Sequence, residues 1–205
     1  MTAATALRRL VLASASPARL SLLRQAGLAP VVVVSDVDET AVTAHRVAER
    51  VALLAAAKAA AVAEKETEAL VIGADSLLEY RGQAMGKPAD VHEARDRWQH
   101  IGGRSGVLHT GQALFDVQDG AVVGRDVAVV STTVHFARPS AAELEAYLAT
   151  GEPLAVAGAF TLDGLGASFV RRIDGDAAAV VGLSLAVLRT QLASRGVAVT
   201  DLWRR

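Results

Sequence analysis

The amino-acid sequence predicts an α/β protein whose mixed, twisted sheet is flanked by helices and forms two lobes around a central cleft. Three observations lead to this class. Helical and strand patterns alternate through the first half of the chain, whereas strands joined by tight turns dominate its middle. The 205 residues are 52% hydrophobic and 21% charged, so the chain can bury a substantial core. No linker, repeat or low-complexity tail interrupts the pattern, and we therefore expect one domain spanning residues 1–205.

The first five predicted elements alternate between strands and helices, and the sixth, residues 77–80, is predicted to form a hairpin with residues 83–85 across Arg81-Gly82. Ser16 followed by Pro17 is typical of a helix start, and Gly27 is typical of a helix stop. The clearest pattern is a long Ala-rich helix after the second strand. The strand that follows it is short and apolar, and is predicted to end directly at Asp75. In order, these elements cover residues 10–13, 17–26, 31–34, 43–66, 70–74 and 77–80.

The later elements follow from capping residues and turn signals. Asp90 and Ser140 each precede a Glu by three residues, which predicts two helix starts. Asp119-Gly120 predicts an antiparallel hairpin between two long strands, and Ser184 predicts the start of the last helix. We expect short strands in the Gly-rich stretch 158–182. The remaining elements are predicted at residues 83–85, 91–100, 107–117, 121–136, 141–150 and 185–195.

The composition excludes several classes of protein. The net charge is −1, from 21 basic and 22 acidic residues, which gives no support for binding to bulk nucleic acid or to a membrane surface. The sequence has no cysteine, which removes disulfides, thiolate nucleophiles and cysteine-bound zinc. No window reaches the roughly 18 uninterrupted apolar residues of a membrane span. We therefore expect a cytoplasmic protein without nucleic-acid or membrane partners.

Lys58 interrupts the apolar face of the long helix. That face consists of Val47, Val51, Leu54 and Val62, at helical spacing. Either the lysine snorkels from the edge of the face, or its ammonium points into a cleft to meet an anion. The pattern alone leaves both interpretations open.

Asp75 is the strongest single candidate for a chemical role. It follows the apolar run Leu-Val-Ile-Gly-Ala, at the carboxyl end of a strand, where ligands bind in open α/β sheets. A carboxylate at this place can bind a metal, act as a base or cap the next turn. Taken alone, the cap is the favoured interpretation.

Two other places could bind a phosphate. Lys87 lies in a Gly-Lys-Pro turn that resembles a phosphate loop, but only three residues separate its glycines and Pro88 replaces the required Ser or Thr. Lys87 therefore either meets a phosphate through its side chain or is an exposed turn residue. Ser14, Ser16 and Arg19 lie where a strand turns into a helix, which predicts either an anion site or ordinary capping.

Several common catalytic patterns are absent from the sequence. The five histidines form no HExxH motif, and no GxSxG motif is present. Gly164-Leu-Gly166 belongs to no complete GxGxxG motif. A zinc protease, a serine hydrolase of the nucleophile-elbow type and a dinucleotide-binding protein are therefore excluded.

Residues 31–40, VVVVSDVDET, fit the opening motif of the haloacid-dehalogenase phosphatases, in which the first Asp attacks a phosphoryl group. That class also needs a late acidic pair to hold magnesium. Asp176 is followed by Ala-Ala-Ala-Val, and only Asp201 occurs after Val180. We therefore reject covalent chemistry at Asp36 as the main interpretation and keep it as a minor alternative.

Taken together and in order, several segments resemble the signature blocks of the Maf family of nucleoside triphosphate pyrophosphatases. They are LASASPAR, DVDET, Lys58-Ala59, IGADSLLEYRGQAMGKPAD, Thr110-Gly111, AGAF, Gly175-Asp176 and VVGLSL. The match extends over nearly the whole chain with the expected spacing, which makes it far more specific than any single motif. It implies the Maf/ITPase-like form of the α/β fold.

The resemblance implies hydrolysis of a nucleoside triphosphate to a monophosphate and pyrophosphate with a divalent metal cation, Mg²⁺ or Mn²⁺. It assigns the general base to Asp75, the metal to Glu39 and Asp75, and further catalytic roles to Lys58 and Lys87. It also implies a homodimer and a role in nucleotide-pool cleaning and cell-division arrest. The substrate contacts that it implies are Ser14, Ser16, Arg19, Ser76 and Asp163.

The base of the substrate is left open by departures from the family pattern. Ser76 stands where one branch has Thr and another Gln. Asp163 replaces the Gln of the branch that hydrolyses dTTP and UTP, and resembles the Glu of the branch that acts on 7-methylguanosine triphosphate. Ala18, however, lacks the Trp of that second branch. Ser184 replaces a Pro, with little expected effect on function.

Two alternatives stand beside the pyrophosphatase. One is a regulator of septum formation that binds a nucleoside triphosphate without turnover. The other is the phosphatase that uses Asp36.

Overall fold

The computed structural model describes residues 8–204 and confirms the predicted α/β class, a mixed sheet with flanking helices. Seven strands form one sheet in the order β2-β1-β3-β5-β6-β7, with β4 paired to β3. The strands are β1 Arg9–Leu12, β2 Val31–Val32, β3 Ala69–Tyr80, β4 Gln83–Met85, β5 Ser105–Gln118, β6 Ala121–Phe136 and β7 Val170–Asp174. The helices are α1 Pro17–Gln25, α2 Val47–Ala63, α3 Val91–Ile101, α4 Ala141–Ala149, α5 Ala177–Val181 and α6 Leu185–Ala193.

The sheet is parallel at one side and antiparallel across the rest. β1 runs parallel to β2 and β3, whereas β3, β5, β6 and β7 pair antiparallel in sequence. The predicted hairpin turns are present: φ is positive at Asp119 and Gly120, between β5 and β6, and at Arg81 and Gly82, between β3 and β4. Positive φ at both central residues is the geometry that matches the twist of two antiparallel strands.

The long helix α2 lies unusually close to the backbone of the sheet. A Cβ atom on Gly73 of β3 would come within 2.1 Å of the Ala55 carbonyl oxygen, and one on Gly111 of β5 within 2.1 Å of the Val51 carbonyl oxygen. Both strands therefore need glycine where the helix crosses them. This close approach holds Lys58, one turn beyond Ala55, against β3.

Two of the hydrophobic cores lie toward opposite ends of the long strands β3 and β5. The first packs α1 and α6 against β1 and β3, with Leu70 and Ile72 among its buried residues. The second surrounds Trp98, whose ring packs edge-to-face against Phe136, Tyr147 and Phe169 at centroid distances of 5.7, 6.0 and 5.7 Å.

A row of buried polar residues crosses the sheet between these cores. β3 contributes Ile72 to the first core and Leu78 to the second, and Asp75 lies between them. On β5, Thr110 and Gln112 are fully buried between Leu108 of the second core and Leu114 of the first. The stretch of β3 and β5 between these two cores therefore carries buried polar groups.

Three sequence predictions are wrong in detail. β3 does not end at Asp75, because β5 pairs with it continuously from Ala69 to Glu79. The long helix begins at Val47 and ends at Ala63, and is shorter at both ends than predicted. The stretch 158–182 contains one strand, β7, but also helix α5, which begins because the Asp176 carboxylate accepts hydrogen bonds from the backbone N–H groups of Ala178 and Ala179.

Within residues 8–204, every helix is too short or too polar to cross a bilayer.

Candidate active site

The centre of the candidate site is a buried lysine held between two carboxylates. The Lys58 ammonium donates to Asp75 Oδ1 at 2.7 Å and lies 2.7 Å from Glu39 Oε1. The side chains of Lys58 and Asp75 are each 9% exposed, whereas that of Glu39 is 55% exposed. The ammonium therefore points inward rather than snorkelling to solvent, and Glu39 closes the cluster on its outer side.

Burial makes the pair of Lys58 and Asp75 sensitive to the loss of either charge. A charged group removed from water is stable only when it is paired and hydrogen-bonded. Removing one partner from a buried pair leaves the other charge uncompensated, which costs far more than losing an exposed pair. Asp75 sits in the middle of a central strand and Lys58 on the helix packed against it, so neither group can move out to solvent.

Glu39 is held by an irregular loop rather than by a strand or helix. Arg50 of α2 donates to the Glu39 carbonyl oxygen at 3.4 Å. The next turn is fixed by Asp38, whose carboxylate accepts from the backbone N–H and the hydroxyl of Thr40 at 3.0 and 2.6 Å. Hydrogen bonds from Thr40 lower the pKa of Asp38.

Asp36 is exposed, has a φ of 52°, and its side chain makes no hydrogen bond with residues 8–204.

Arg19 supplies a second buried cation beside the cluster. It lies in the first turn of α1 and is only 9% exposed. Its guanidinium donates to the Ser14 hydroxyl at 2.9 Å, to the Ser76 hydroxyl at 3.2 Å and to the Gly182 carbonyl at 2.9 Å. Burial lowers the pKa of Arg19, and the carboxylate of Asp75 acts in the opposite direction. Arg19 is therefore held rigidly and lies within the field of the carboxylates.

The two N-terminal serines have different local roles. The Ser14 hydroxyl accepts from the Arg19 guanidinium and from the backbone N–H of Ser16 at 3.3 Å. The Ser16 hydroxyl caps α1, accepting from the backbone N–H of Arg19 at 3.4 Å. The predicted cap is therefore present at Ser16, and the anion site stays a prediction.

Ser76 connects Arg19 to the neighbouring strand. Its hydroxyl lies 2.9 Å from that of Thr110, which stands directly opposite it on β5 and donates to the Ala179 carbonyl at 2.7 Å. Because the Thr110 proton is used there, Ser76 donates to Thr110 and accepts from Arg19. Sequence reasoning assigned no role to Thr110 or to the Gly182 carbonyl. The signal available for Thr110 was its place in the Thr-Gly block.

Ser184 makes contacts that a proline could not make. Its backbone N–H donates to Gln112 Oε1 at 2.9 Å, and its hydroxyl donates to Asp176 Oδ2 at 2.5 Å. Asp176 in turn caps α5, the helix that ends beside the Gly182 carbonyl bonded to Arg19. Through Asp176 and α5, Ser184 thus helps to fix the backbone carbonyl that accepts from Arg19.

Lys87 and Asp163 are not part of the buried cluster. Both are exposed, and their side chains make no hydrogen bond or ion pair with residues 8–204. Their segments are neighbours, however, because the backbone N–H of Gly158 donates to the Gly86 carbonyl at 3.0 Å. A Cβ atom on Gly86 would lie 3.5 Å from Leu77, two residues beyond Asp75 on β3.

The side chains of the cluster include both positive groups and carboxylate oxygens. Arg19 and Lys58 offer positive charge, and the carboxylates of Glu39 and Asp75 converge on one nitrogen. Two carboxylates completed by substrate phosphates are a usual environment for Mg²⁺. Between residues 8 and 204 there is no group of three or more His, Cys, Asp or Glu side chains that could hold a metal by itself. The donors present therefore fit a cation that is shared with a phosphate ligand.

Comparison with known proteins identifies the family. Residues 9–195 match the model of the Maf-like protein family. Similar proteins include the nucleoside triphosphate pyrophosphatase of Streptomyces coelicolor, which is 57% identical over 198 residues covering 96% of this chain and 95% of the relative. The proteins of the same name from Salinispora tropica and Rhodococcus erythropolis are 54% and 50% identical, over 96% of this chain and 88% and 97% of their own lengths. The chain therefore belongs to the Maf-like protein family.

Proposed function

We propose that this protein hydrolyses a nucleoside triphosphate between its α and β phosphates, with Asp75 as the general base. The observation that carries the proposal is the Lys58 ammonium bound between Asp75 and Glu39, beside the buried Arg19. The enzyme class itself, a nucleoside triphosphate pyrophosphatase, is supported by the relatives that carry that name at 50–57% identity over most of the chain.

Asp75 is suited to take a proton from water. Lys58 fixes the carboxylate through Oδ1, and Oδ2 accepts no hydrogen bond from residues 8–204. An oriented carboxylate with one oxygen available can abstract a proton from a water molecule aimed at the α-phosphorus. The water then attacks, the bond from the α-phosphorus to the bridging oxygen breaks, and pyrophosphate leaves with the electron pair.

The cations are suited to hold the triphosphate and the leaving group. A triphosphate carries close to four negative charges. Arg19 and Lys58 would meet it inside the site, and Lys87 would reach it from the exposed turn. Positive groups that are already fixed before the reaction stabilise the charge that develops on the phosphates without reorganising.

A divalent cation, Mg²⁺ or Mn²⁺, would be held by Glu39 and Asp75. Bound there, it would neutralise phosphate charge and polarise the phosphoryl group. We also propose that the protein is a homodimer and is located in the cytoplasm.

Asp163 is proposed to contact the base of the nucleotide and thereby select it. Ser76 is proposed to contact the substrate nearer its phosphates. A carboxylate at residue 163 could accept hydrogen bonds from N1 and N2 of a guanine, whereas dTTP and UTP offer a different pattern of donors. Asp163 is exposed and bound to no residue between 8 and 204, so its carboxylate is available to a ligand.

A panel of triphosphates tests the proposal. The purified protein is incubated with canonical nucleoside triphosphates and 7-methylguanosine triphosphate, with Mg²⁺, Mn²⁺ or no added metal, and both pyrophosphate and orthophosphate are measured. Metal-dependent release of pyrophosphate is expected. Orthophosphate as the first product would favour the phosphatase that uses Asp36, and binding without either product would favour the regulator.

A further inference from the structure

The carboxylate of Glu152 receives four hydrogen bonds from the segment around it. Glu152 opens the 3-10 turn that follows α4. Its Oε1 accepts from the Tyr147 hydroxyl at 3.1 Å, from the Thr161 hydroxyl at 2.5 Å and from the backbone N–H of Gly166 at 3.0 Å. Its Oε2 accepts from the backbone N–H of Leu165 at 3.0 Å. One side chain therefore binds both ends of the loop formed by residues 161–166.

The loop also fits closely around this carboxylate. A Cβ atom on Gly164 would lie 2.7 Å from Glu152 Oε2, and one on Gly166 would lie 2.3 Å from the Tyr147 hydroxyl oxygen. Glycine at both places lets the backbone approach the carboxylate. Asp163 stands in the middle of the loop, with its side chain exposed.

Glu152 binds the loop as an anion. Burial alone would raise the pKa of Glu152, but hydrogen bonds from Thr161 and from the backbone of Gly166 and Leu165 outweigh it and leave the pKa below its ordinary value. Hydrogen bonds from N–H groups to an ionised carboxylate are about twice as strong as neutral ones. Burial raises the pKa of Tyr147, which keeps its hydroxyl a donor.

The clamped loop is attached to the candidate active site. Gly158, between Glu152 and the loop, donates to the carbonyl of Gly86, which precedes Lys87. A Cβ atom on Gly158 would lie 2.8 Å from Leu78, three residues beyond Asp75 on β3. The segment that carries Asp163 therefore rests on the strand that carries Asp75.

We propose that Glu152 is a positioning residue for substrate selection: it clamps the loop 161–166 in one conformation, so that Asp163 presents its carboxylate to the nucleotide base. The proposal rests on the proposed function, in which Asp163 contacts the base. A loop that is already ordered loses less conformational freedom when the substrate binds, so the clamp favours the matching base over others.

A double-mutant cycle tests whether Glu152 acts through Asp163. The full chain is prepared as wild type, Glu152→Gln, Asp163→Ala and the double variant, and kcat and KM are measured for the best and worst triphosphates of the panel. Each single variant is expected to lower the ratio of the two kcat/KM values at least about tenfold, mainly through the KM of the best substrate. The double variant is expected to lower it no further, because interacting residues are not additive.

Two controls separate positioning from a general loss of structure. Glu143→Gln makes the same substitution at a carboxylate that caps α4 but does not touch the loop, and its selectivity is expected to equal that of wild type. Glu152→Asp keeps the charge and is expected to recover part of the selectivity lost in Glu152→Gln. Hydrogen exchange at the amides of Leu165 and Gly166 is expected to become at least about tenfold faster in Glu152→Gln, since glutamine has one acceptor oxygen in place of two and carries no charge.

Unchanged selectivity in Glu152→Gln, or fully additive effects in the double variant, would overturn the proposal. If the wild type releases pyrophosphate from no triphosphate, the proposed function fails and the selective role of Glu152 fails with it. Hydrogen exchange still decides the clamp in that case: unchanged protection of Leu165 and Gly166 in Glu152→Gln would show that the carboxylate does not hold the loop.

Discussion

The phosphate end and the base end of the proposed substrate site are built in opposite ways. At the phosphate end, Arg19, Lys58 and Asp75 are each at most 9% exposed and lie on two helices and a central strand. At the base end, Asp163 is exposed on a loop that contributes no strand to the sheet and is fixed by the single carboxylate of Glu152.

In the proposed function, this difference separates the part of the site that would perform the chemistry from the part that would select the substrate. Buried charges on regular elements are held by packing from several sides, so each depends on its partners for the stability of the fold as well as for activity. An exposed loop can change its contacts with little effect on the core. Substitutions at the phosphate end should therefore alter rate and stability together, and those at the base end should alter selectivity alone.

The largest effect is expected at Asp75. Asp75→Asn retains the shape of the side chain and an oxygen that can accept from Lys58, but removes the base. Pyrophosphate release should fall by about 10²–10⁴-fold. The assay is the steady-state rate on the best triphosphate, with circular dichroism to verify the fold. A variant that keeps a near-normal rate would exclude Asp75 as the base.

Substitution of Lys58 and of Lys87 compares the contribution of a buried and of an exposed cation to the free energy of unfolding. Lys58→Met leaves the buried Asp75 carboxylate without its ammonium and should lower the free energy of unfolding by about 3 kcal/mol. Lys87→Met, at an exposed turn, should change it by less than about 0.5 kcal/mol while still slowing pyrophosphate release. Urea unfolding measures both. Equal destabilisation by the two variants would contradict the comparison.

Because α2 lies close to the sheet, substitution of Gly111 is expected to destabilise the fold, by less than substitution of Lys58. Gly111→Ala places a methyl group against the Val51 backbone and should destabilise the fold by about 1–3 kcal/mol, with slower pyrophosphate release because α2 carries Lys58. Gly120→Ala is the matched control: it has open space but a φ of 76°, so it should cost about 1 kcal/mol and leave the rate unchanged. A normal rate in Gly111→Ala would show that Lys58 does not depend on this packing.

The smallest effect is expected at an exposed ion pair on β7. Hydrogen bonds from Arg172, and then from His135, lower the pKa of Asp174 from 3.8 to about 2. A pKa that is lower in the folded state stabilises the fold above the ordinary value, and this contribution is lost as the pH falls through about 2. The unfolding free energies of wild type and Asp174→Asn should therefore differ slightly at pH 7 and converge between about pH 4 and pH 2. A difference in unfolding free energy between wild type and Asp174→Asn that widens on acidification would contradict the lowered pKa of Asp174.

The sequence predicted what depends on local pattern and missed what depends on strand pairing. The apolar stripe marked Lys58 as anomalous, and the apolar run marked Asp75, because both signals lie within one element. The continuation of β3 beyond Asp75 and the contact of Ser76 with Thr110 depend on pairing with β5, which lies more than twenty residues away in sequence. No short-range pattern reports such a contact.

The role of Glu152 was missed for a related reason. Two of its four hydrogen bonds come from the backbone N–H groups of Leu165 and Gly166, and backbone donors leave no trace in side-chain patterns. Asp163 was found through the family resemblance instead, whereas Lys87 was first marked by its Gly-Lys-Pro turn. Because both are exposed and unbound to residues 8–204, their roles stay predictions until a nucleotide is bound.

Hydrolysis in H₂¹⁸O tests the central claim, that Asp75 directs water at the α-phosphorus. Mass spectrometry of the products from a single turnover locates the label. We predict ¹⁸O in the nucleoside monophosphate, none in the pyrophosphate, and loss of both labelled and unlabelled product in Asp75→Asn. Label in the pyrophosphate, or undiminished labelling of the monophosphate by Asp75→Asn, would contradict it.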